Sequence, residues 1–203
     1  MQSELEKLKV YILVKWIVLA AETALATAEF VLGAVPLFAA VSSYMMVAGL
    51  GAINLTLAYT AKRKQSNIAL IYLALFVDVT FVIVSIYFNG GMENTWLFGP
   101  VLVIFISGYL LNLTASLSLA TFSFLSILLL FFLESSRLIP HFNVYGLPDL
   151  YWKHPAYIKD YLLGMFFLYF AGALASGYLN QIMQRTSNAL SKAYKESETA
   201  RNE

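Results

Sequence analysis

The sequence predicts an all-α integral membrane protein with six transmembrane helices, the last of which extends into a cytoplasmic coiled-coil-like helix. Hydrophobic residues make up 60% of the 203 residues and charged residues 12%, and the mean hydropathy is +0.70. A soluble domain carries about twice that charged share. Apolar segments long enough to cross a bilayer recur along the chain, which turns abruptly polar after Met183. The predicted spans are 10–32, 37–60, 68–88, 96–111, 117–133 and 161–183.

The first three spans are separated by a turn and a basic loop. Gly33 and Pro36 mark the turn after the first span, and the run Ala-Lys-Arg-Lys-Gln at 61–65 precedes the third. In the second span, Gly49, Gly51 and Ala52 are small enough to let a neighbouring helix approach closely.

The fourth and fifth spans come from one uncharged run that begins at Thr95 and ends at Leu133. At about 1.5 Å per helical residue, this run would reach nearly twice the roughly 30 Å of bilayer hydrocarbon. We therefore expect it to fold back as two crossings. The reversal is predicted at the polar cluster 112–116, because its Asn and Thr side chains can satisfy backbone groups freed at a helix end.

Segment 134–160 is predicted to be an outer loop or interfacial helix, since three prolines and several aromatic residues interrupt it. Its two histidines, His141 and His154, lack helical ligand spacing, so no metal site is predicted. The chain thus divides into a membrane domain, 1–183, and a cytoplasmic linker, 184–203. Apolar or small residues near the linker follow an approximate heptad and predict a weak dimeric coiled coil; they are Ile182, Thr186, Ala189, Ala193 and Ser197.

The orientation follows from the basic residues of the short loops. In a six-span arrangement, the basic residues near both chain ends and in the 61–65 loop fall on one side, and fewer fall on the other. Both termini are therefore predicted to be cytoplasmic.

Four charged residues fall inside predicted spans. Lys15, Glu22 and Glu29 are seven residues apart and share one face of the first helix, and Asp78 lies near the middle of the third. Such charges cost about 2.5–3.5 kcal/mol each on insertion scales, so we expect them to face protein or water. One hypothesis is a polar path or ligand pocket between these helices. The alternative is that Lys15 and Glu29 snorkel to the two interfaces while Glu22 and Asp78 are buried, either protonated or paired.

Several functional classes find no support in the sequence. The chain has no cysteine, which excludes disulfides and thiol chemistry, and its net charge of +1 gives no attraction to nucleic acid. Phosphate loops, nucleophile elbows and zinc-protease motifs are also missing from it. We therefore predict that the chain is not itself an enzyme.

The segment Gly-Gly-Met-Glu-Asn-Thr-Trp at 90–96 follows the third span and precedes the paired apolar helices. It resembles the Gly-Gly-x-x-Asn-Pro-Phe segment in six-span sensor domains of bacterial histidine kinases of the redox-responsive Reg type. The resemblance extends in outline over most of the chain. It implies an inner-membrane sensor that dimerises through its last helix and works with a kinase domain and a response regulator.

In that family the segment is implicated in ubiquinone sensing. The resemblance therefore implies a quinone ligand near Gly90, Gly91, Glu93, Asn94 and Trp96, although nothing in the residues themselves demands a cofactor. This chain departs from the family in having threonine and tryptophan where the family has proline and phenylalanine, and in lacking the redox-active cysteine. Taken alone, the two glycines are better explained as a simple turn.

Two functional hypotheses follow. The first is a signal-input domain that detects a lipophilic or membrane-derived signal and relays it through the last helix. The alternative is a small proton- or cation-coupled transporter, or its substrate-binding subunit, with Glu22, Glu29 and Asp78 along the path. A structural assembly subunit is a third possibility.

Overall fold

The computed structural model describes residues 2–63, 68–91, 95–142, 144 and 155–202, and this part of the chain is helical without any strand. The all-α prediction is therefore confirmed. A short 3₁₀ helix, Thr95–Phe98, precedes the fourth α-helix. The α-helices are α1 (Gln2–Val31), α2 (Leu37–Lys62), α3 (Ile68–Phe88), α4 (Gly99–Leu110), α5 (Leu113–Ser135) and α6 (Pro155–Asn202).

Five of the helices in the described ranges are long and apolar enough to cross a membrane, which makes the chain a multi-pass membrane protein. The exception is α4, which has 12 residues. At about 1.5 Å per residue it is roughly 18 Å long, shorter than the bilayer hydrocarbon. The predicted fourth span, 96–111, is thus divided between the 3₁₀ turn and a short helix.

Helices α1 and α2 form an antiparallel pair. The Thr27 and Tyr44 hydroxyls lie 2.8 Å apart, and the Asn54 side chain donates to the Ile12 carbonyl over 3.1 Å. The chain reverses between the two helices through Gly33, which has a φ of 69°. Glycine adopts this left-handed conformation without steric cost, as the predicted turn requires.

Helix α3 runs antiparallel to α2. Asn89, just past the end of α3, donates to Ser43, and Gly49 lies against Phe81 further along the pair. A Cβ at Gly49 would lie 2.7 Å from the Phe81 ring, so the predicted close approach occurs there. A Cβ at Gly51 would meet nothing within 4 Å among the described residues, so the close approach does not extend to this glycine.

The uncharged run reverses at Asn112, within the predicted cluster 112–116. The Asn112 side chain accepts a hydrogen bond of 2.8 Å from the Ala115 amide, and this N-cap starts α5. Its Nδ2 also lies 3.3 Å from the Tyr72 hydroxyl, in the first part of α3. The tip of the hairpin therefore lies at the end of the bundle where α3 begins.

Helix α4 runs alongside α6 in the same direction. Near one end the Tyr169 hydroxyl donates to the Leu97 carbonyl over 2.5 Å, and near the other the Asn180 side chain donates to the Leu111 carbonyl over 2.9 Å. The second bond satisfies a carbonyl at the C-terminal end of α4, where the helix itself supplies no partner.

Helix α5 runs against the direction of α6. Ser116 donates to the Ala173 carbonyl, and further along α5 the Phe124 ring lies 5.4 Å from the Phe166 ring. Because α4 is parallel to α6 and α5 antiparallel, the uncharged run folds back on itself as predicted. The start of α1, the hairpin tip and the part of α6 beyond Asn180 lie at one end of the bundle.

The predicted outer loop, 134–160, is shorter than expected at both ends. Helix α5 continues through Glu134, and Arg137, with a φ of 58°, closes it by a Schellman-type turn. Helix α6 begins at Pro155, a residue suited to the first helical turn, and continues without interruption through the predicted linker. Positions 143 and 145–154, including His154, lie outside the described residues.

Candidate functional site

An ion pair joins α1 to α3 inside the membrane-spanning part of the bundle. The Lys15 Nζ atom lies 2.5 Å from Asp78 Oδ1, and the Tyr11 hydroxyl donates to Asp78 Oδ2. Lys15 is 6% exposed and Asp78 7% exposed. The ammonium is thus held by a carboxylate within the bundle, which contradicts the alternative that Lys15 snorkels to the interface.

The sequence explains why Tyr11 and Lys15 act together. They are four residues apart and therefore lie on the same face of α1, one turn from each other. The Lys15 Nζ atom is 5.6 Å from the centroid of the Tyr11 ring, a distance compatible with a cation–π contact. Tyr11 was not singled out from the sequence, although this spacing was a usable signal.

The other two charged residues of α1 continue along the same face. Glu22 and Glu29, together with Lys15 and Asp78, line a cavity of about 280 Å³ enclosed by α1, α2, α3 and α4. The structure thus brings all four intramembrane charged residues to one cavity. Its volume is close to the lower end of small-molecule pockets, about 300–1,000 Å³, and most of its other lining side chains are aliphatic.

One carboxylate oxygen in this cavity is buried without a hydrogen bond. Glu22 Oε2 has no partner among the described residues. Buried polar atoms without partners are uncommon in native proteins, because each costs the desolvation of the group. A polar group of a ligand, or a water molecule, in the cavity would satisfy this oxygen.

A polar cluster lies at the end of the cavity nearest the glycine turn. The Asn89 side chain donates to the Ser85 carbonyl over 2.9 Å and lies 3.2 Å from the Ser43 hydroxyl. All three residues line the cavity. None was predicted as a site residue, since each is unremarkable in sequence, and only the packing of α2 on α3 brings them together.

The glycine turn lies beside this cluster but is filled differently from the prediction. Gly90 and Gly91 are buried and have φ values of 109° and 55°. A Cβ at Gly91 would overlap the carboxylate of Glu134. The space next to Gly91 is therefore occupied by a side chain of α5, and the glycine is required both by its conformation and by this contact.

Glu134 is 1% exposed, although the sequence placed it in an outer loop. The Nδ1 atom of His141 lies 3.5 Å from Glu134 Oε1. Glu134 thus connects the end of α5 to the glycine turn. Sequence reasoning missed Glu134 because a charge at the end of an apolar run is usually a sign that the chain has left the membrane.

The other residues predicted to lie near a ligand are Glu93, Asn94 and Trp96. Glu93 and Asn94 lie outside the described residues, as does the side chain of Trp96, whose backbone belongs to the 3₁₀ helix. The link between the glycine turn and the cavity is Asn89, which precedes Gly90 and lines the cavity itself.

Comparison with known protein families, characterised proteins and solved structures yields no match to this chain. The feature of the described chain that is suited to binding is the cavity. It combines a mostly aliphatic wall with an ammonium group, three carboxyl groups and a few neutral polar side chains. That combination is suited to reversible binding of an amphiphilic molecule, because the wall receives an apolar body and the polar groups orient one end.

Proposed function

We propose that this chain is a membrane signal-input domain, which binds a small amphiphilic ligand in the cavity and relays its presence through α6. The observation that carries the proposal is that the cavity lies where two parts of the bundle meet. Helices α1 and α2 pack mainly on each other, α4 and α5 pack mainly on α6, and α3 contacts both groups. The walls of the cavity come from α1 to α4, so a ligand bound in it would contact both parts at once.

The Lys15–Asp78 pair is the interaction that such a ligand would alter. It joins α1 to α3 by two charged groups that are both buried. A polar ligand group that competes for either partner alters the energy of this junction, since charge interactions are strong where water is excluded. A difference of about 1–3 kcal/mol between two packings shifts an output equilibrium by roughly 5 to 150 fold.

Helix α6 is well placed to receive the change. Asn180 bonds to the carbonyls of both Gly108 and Leu111, each over 2.9 Å. A Cβ at Gly177 would lie 2.8 Å from the Leu113 Cα, so α6 and the hairpin tip are in backbone contact. Because there is no slack at these contacts, a displacement of α4 moves α6 with it.

In this proposal, α6 passes the signal on by pairing with α6 of a second copy of the chain. Beyond Asn180 the described residues of α6 are exposed, including Leu190 at 67% and Tyr194 at 72%. Pairing of two such helices as a coiled coil would cover the predicted heptad face. The resemblance to redox-responsive sensor kinases adds a quinone as candidate ligand, and a kinase domain and a response regulator as partners.

The topology that fits this proposal has six crossings of a bacterial inner membrane with both termini cytoplasmic. It is supported by the shared position of the α1 start and the α6 extension at one end of the bundle. The chain has no cysteine, so the variants Gln2→Cys and Asn202→Cys each carry a single thiol. Both thiols are expected to resist a membrane-impermeant maleimide in intact cells and to react after lysis. Labelling of one but not the other in intact cells would contradict this topology.

The relay is tested with a single thiol in the α6 extension. Ala193→Cys in nanodiscs is expected to form a disulfide between two copies, and its rate reports the packing of the paired helices. Adding Asp78→Asn, which breaks the intramembrane pair, is expected to change that rate about fivefold or more. Asp160→Asn, the same type of substitution at an exposed residue near the start of α6, serves as control and should leave the rate within twofold.

An unchanged rate in the Asp78→Asn protein would disprove the relay from the cavity to α6. In a second arm, a short-chain ubiquinone is added to the protein with intact Asp78. A change in disulfide rate that requires Asp78 supports a quinone ligand. No change excludes quinone as the ligand, and the relay is then tested by the Asp78→Asn comparison alone.

A second candidate function, a proton- or cation-coupled transporter, is favoured by the line of Lys15, Glu22 and Glu29 along the cavity. It predicts that proteoliposomes accumulate substrate and that Glu22→Gln abolishes accumulation. The oxygen of Glu22 that has no partner among the described residues fits this function as well as ligand binding. The disulfide rate in the α6 extension distinguishes the two functions, because only the signal-input domain requires a relay through α6.

A further inference from the structure

An apolar groove of about 500 Å³ lies between the halves of α2 and α3 that are nearest the glycine turn. Its walls include Met45, which is 71% exposed, and Val84, which is 48% exposed. Both helices are long and apolar enough to cross a membrane. In a bilayer this groove would therefore be open to lipid hydrocarbon.

The groove and the cavity adjoin. Met46 and Ser85 line both of them, so these two side chains form the wall between the two spaces. Thr27 is bonded to Tyr44 and Asn54 to Ile12 across the antiparallel α1–α2 pair, which places Glu22 opposite positions 47–49, within one helical turn of Met46. A molecule with its polar end at Glu22 would have its other end directed into the groove.

The charges of the cavity select the polar end. Among the described lining residues, one ammonium faces three carboxyl groups. Lys15 and Tyr11 already engage both oxygens of Asp78, which leaves Glu22 and Glu29 to face the cavity. A positively charged head group is attracted by these carboxylates at low dielectric, whereas a carboxylate or phosphate would be repelled.

We propose that the ligand is a single-chain amphiphile with an ammonium head, which binds Glu22 in the cavity and lays its hydrocarbon tail in the α2–α3 groove. This inference rests on the ligand-binding cavity of the proposed function and specifies its occupant. Access is lateral, from the bilayer, and the side chain of Met46 is the gate between groove and cavity. The tail gains little hydrophobic energy over surrounding lipid, so selectivity comes from the charged head.

The test uses radiolabelled dodecylammonium and dodecanoate, which carry similar tails and opposite charges. Each is titrated into the protein in nanodiscs of neutral lipid, and binding to protein-free nanodiscs is subtracted. Dodecylammonium is expected to bind at least tenfold more tightly than dodecanoate. Glu22→Gln is expected to reduce its affinity at least tenfold, because the head loses its counter-charge in a mostly aliphatic cavity.

The groove is tested by filling its junction with the cavity. Met46→Trp is expected to weaken dodecylammonium binding at least tenfold, and Ser85→Leu gives an independent block if the first variant fails to fold. Leu55→Trp is the matched control, since Leu55 lies on the same helix, is 60% exposed and lines neither space. It should leave the affinity within twofold of the native protein.

Equal binding of the two probes overturns the ammonium head, and native affinity in a folded Met46→Trp or Ser85→Leu protein overturns the groove as tail site. These results are separable from the proposed function. If dodecylammonium binds through Glu22 but leaves the Ala193→Cys disulfide rate unchanged, the relay fails and the ligand assignment stands. If the Asp78→Asn variant changes that rate while dodecylammonium does not bind, the relay stands and the ligand assignment fails.

Discussion

Asp78→Asn is expected to lower the free energy of unfolding by about 3–5 kcal/mol, the usual cost of leaving one partner of a buried ion pair without the other. The Lys15 ammonium, 6% exposed, would then face a neutral amide. The Tyr11 hydroxyl would keep an acceptor in the amide oxygen. The loss therefore reports on the uncompensated charge, and it is measured by unfolding in mixed micelles of increasing SDS content.

The double variant Lys15→Met/Asp78→Asn tests that explanation. It removes both charges, so it should be more stable than Asp78→Asn alone, because replacing both partners of a buried pair is often neutral or favourable. Lys192→Met is the surface control. Lys192 and Glu196 are 3.8 Å apart with side chains 79% and 67% exposed, and the change should be below about 0.5 kcal/mol. A double variant less stable than Asp78→Asn would contradict the charge argument.

Gly91→Ala is expected to be the second severe change, with a loss of about 2–5 kcal/mol. An alanine at a φ of 55° costs about 1–2 kcal/mol in backbone strain. Its Cβ would also overlap the Glu134 carboxylate, and such overpacking typically adds about 1–3 kcal/mol. The same SDS titration measures the effect.

Gly33→Ala separates the two contributions. Gly33 has a similar φ of 69°, but a Cβ there would meet none of the described residues within 4 Å. It should lose only the backbone contribution of about 1–2 kcal/mol. Equal losses in the two variants would show that Glu134 yields freely to the added methyl group and that the contact with Gly91 is not a tight one.

The helices that were predicted well are those with a local signal. The bounds of α3 match the predicted span, 68–88, since a basic loop precedes an almost uniformly apolar run. The reversal at Asn112 was predictable because the polar cluster 112–116 in a long apolar run offers side chains that can cap a helix end. Segment length, charge and capping residues can all be determined from consecutive residues of the sequence.

The partners of the buried charges were not predictable to the same degree. The spacing of Lys15, Glu22 and Glu29 assigns them to one face of α1, but it does not say which neighbouring helix that face meets. Asp78 was identified as buried, whereas its pairing with Lys15 and Tyr11 depends on how α1 and α3 are rotated and shifted against each other. The same limitation explains why Gly49 packs on α3 and Gly51 does not.

Glu134 shows a different limitation. A charge after a long apolar run suggests the end of a crossing, and the rule fails here because Gly91, distant in sequence, leaves room for the carboxylate. Such a pocket arises from two segments together and cannot be deduced from either alone. Helix α5 accordingly extends two residues past the predicted end of the span, to Ser135.

The unbroken course of α6 has a mechanical consequence. From Asn180, where it is fixed to the hairpin tip, the helix continues to Asn202, about 33 Å away at 1.5 Å per residue. If the helix is rigid over that length, a tilt of about 5° at the attachment sweeps its far end through roughly 3 Å. A small change in side-chain packing near Asn180 would thus produce a larger displacement at the far end of α6.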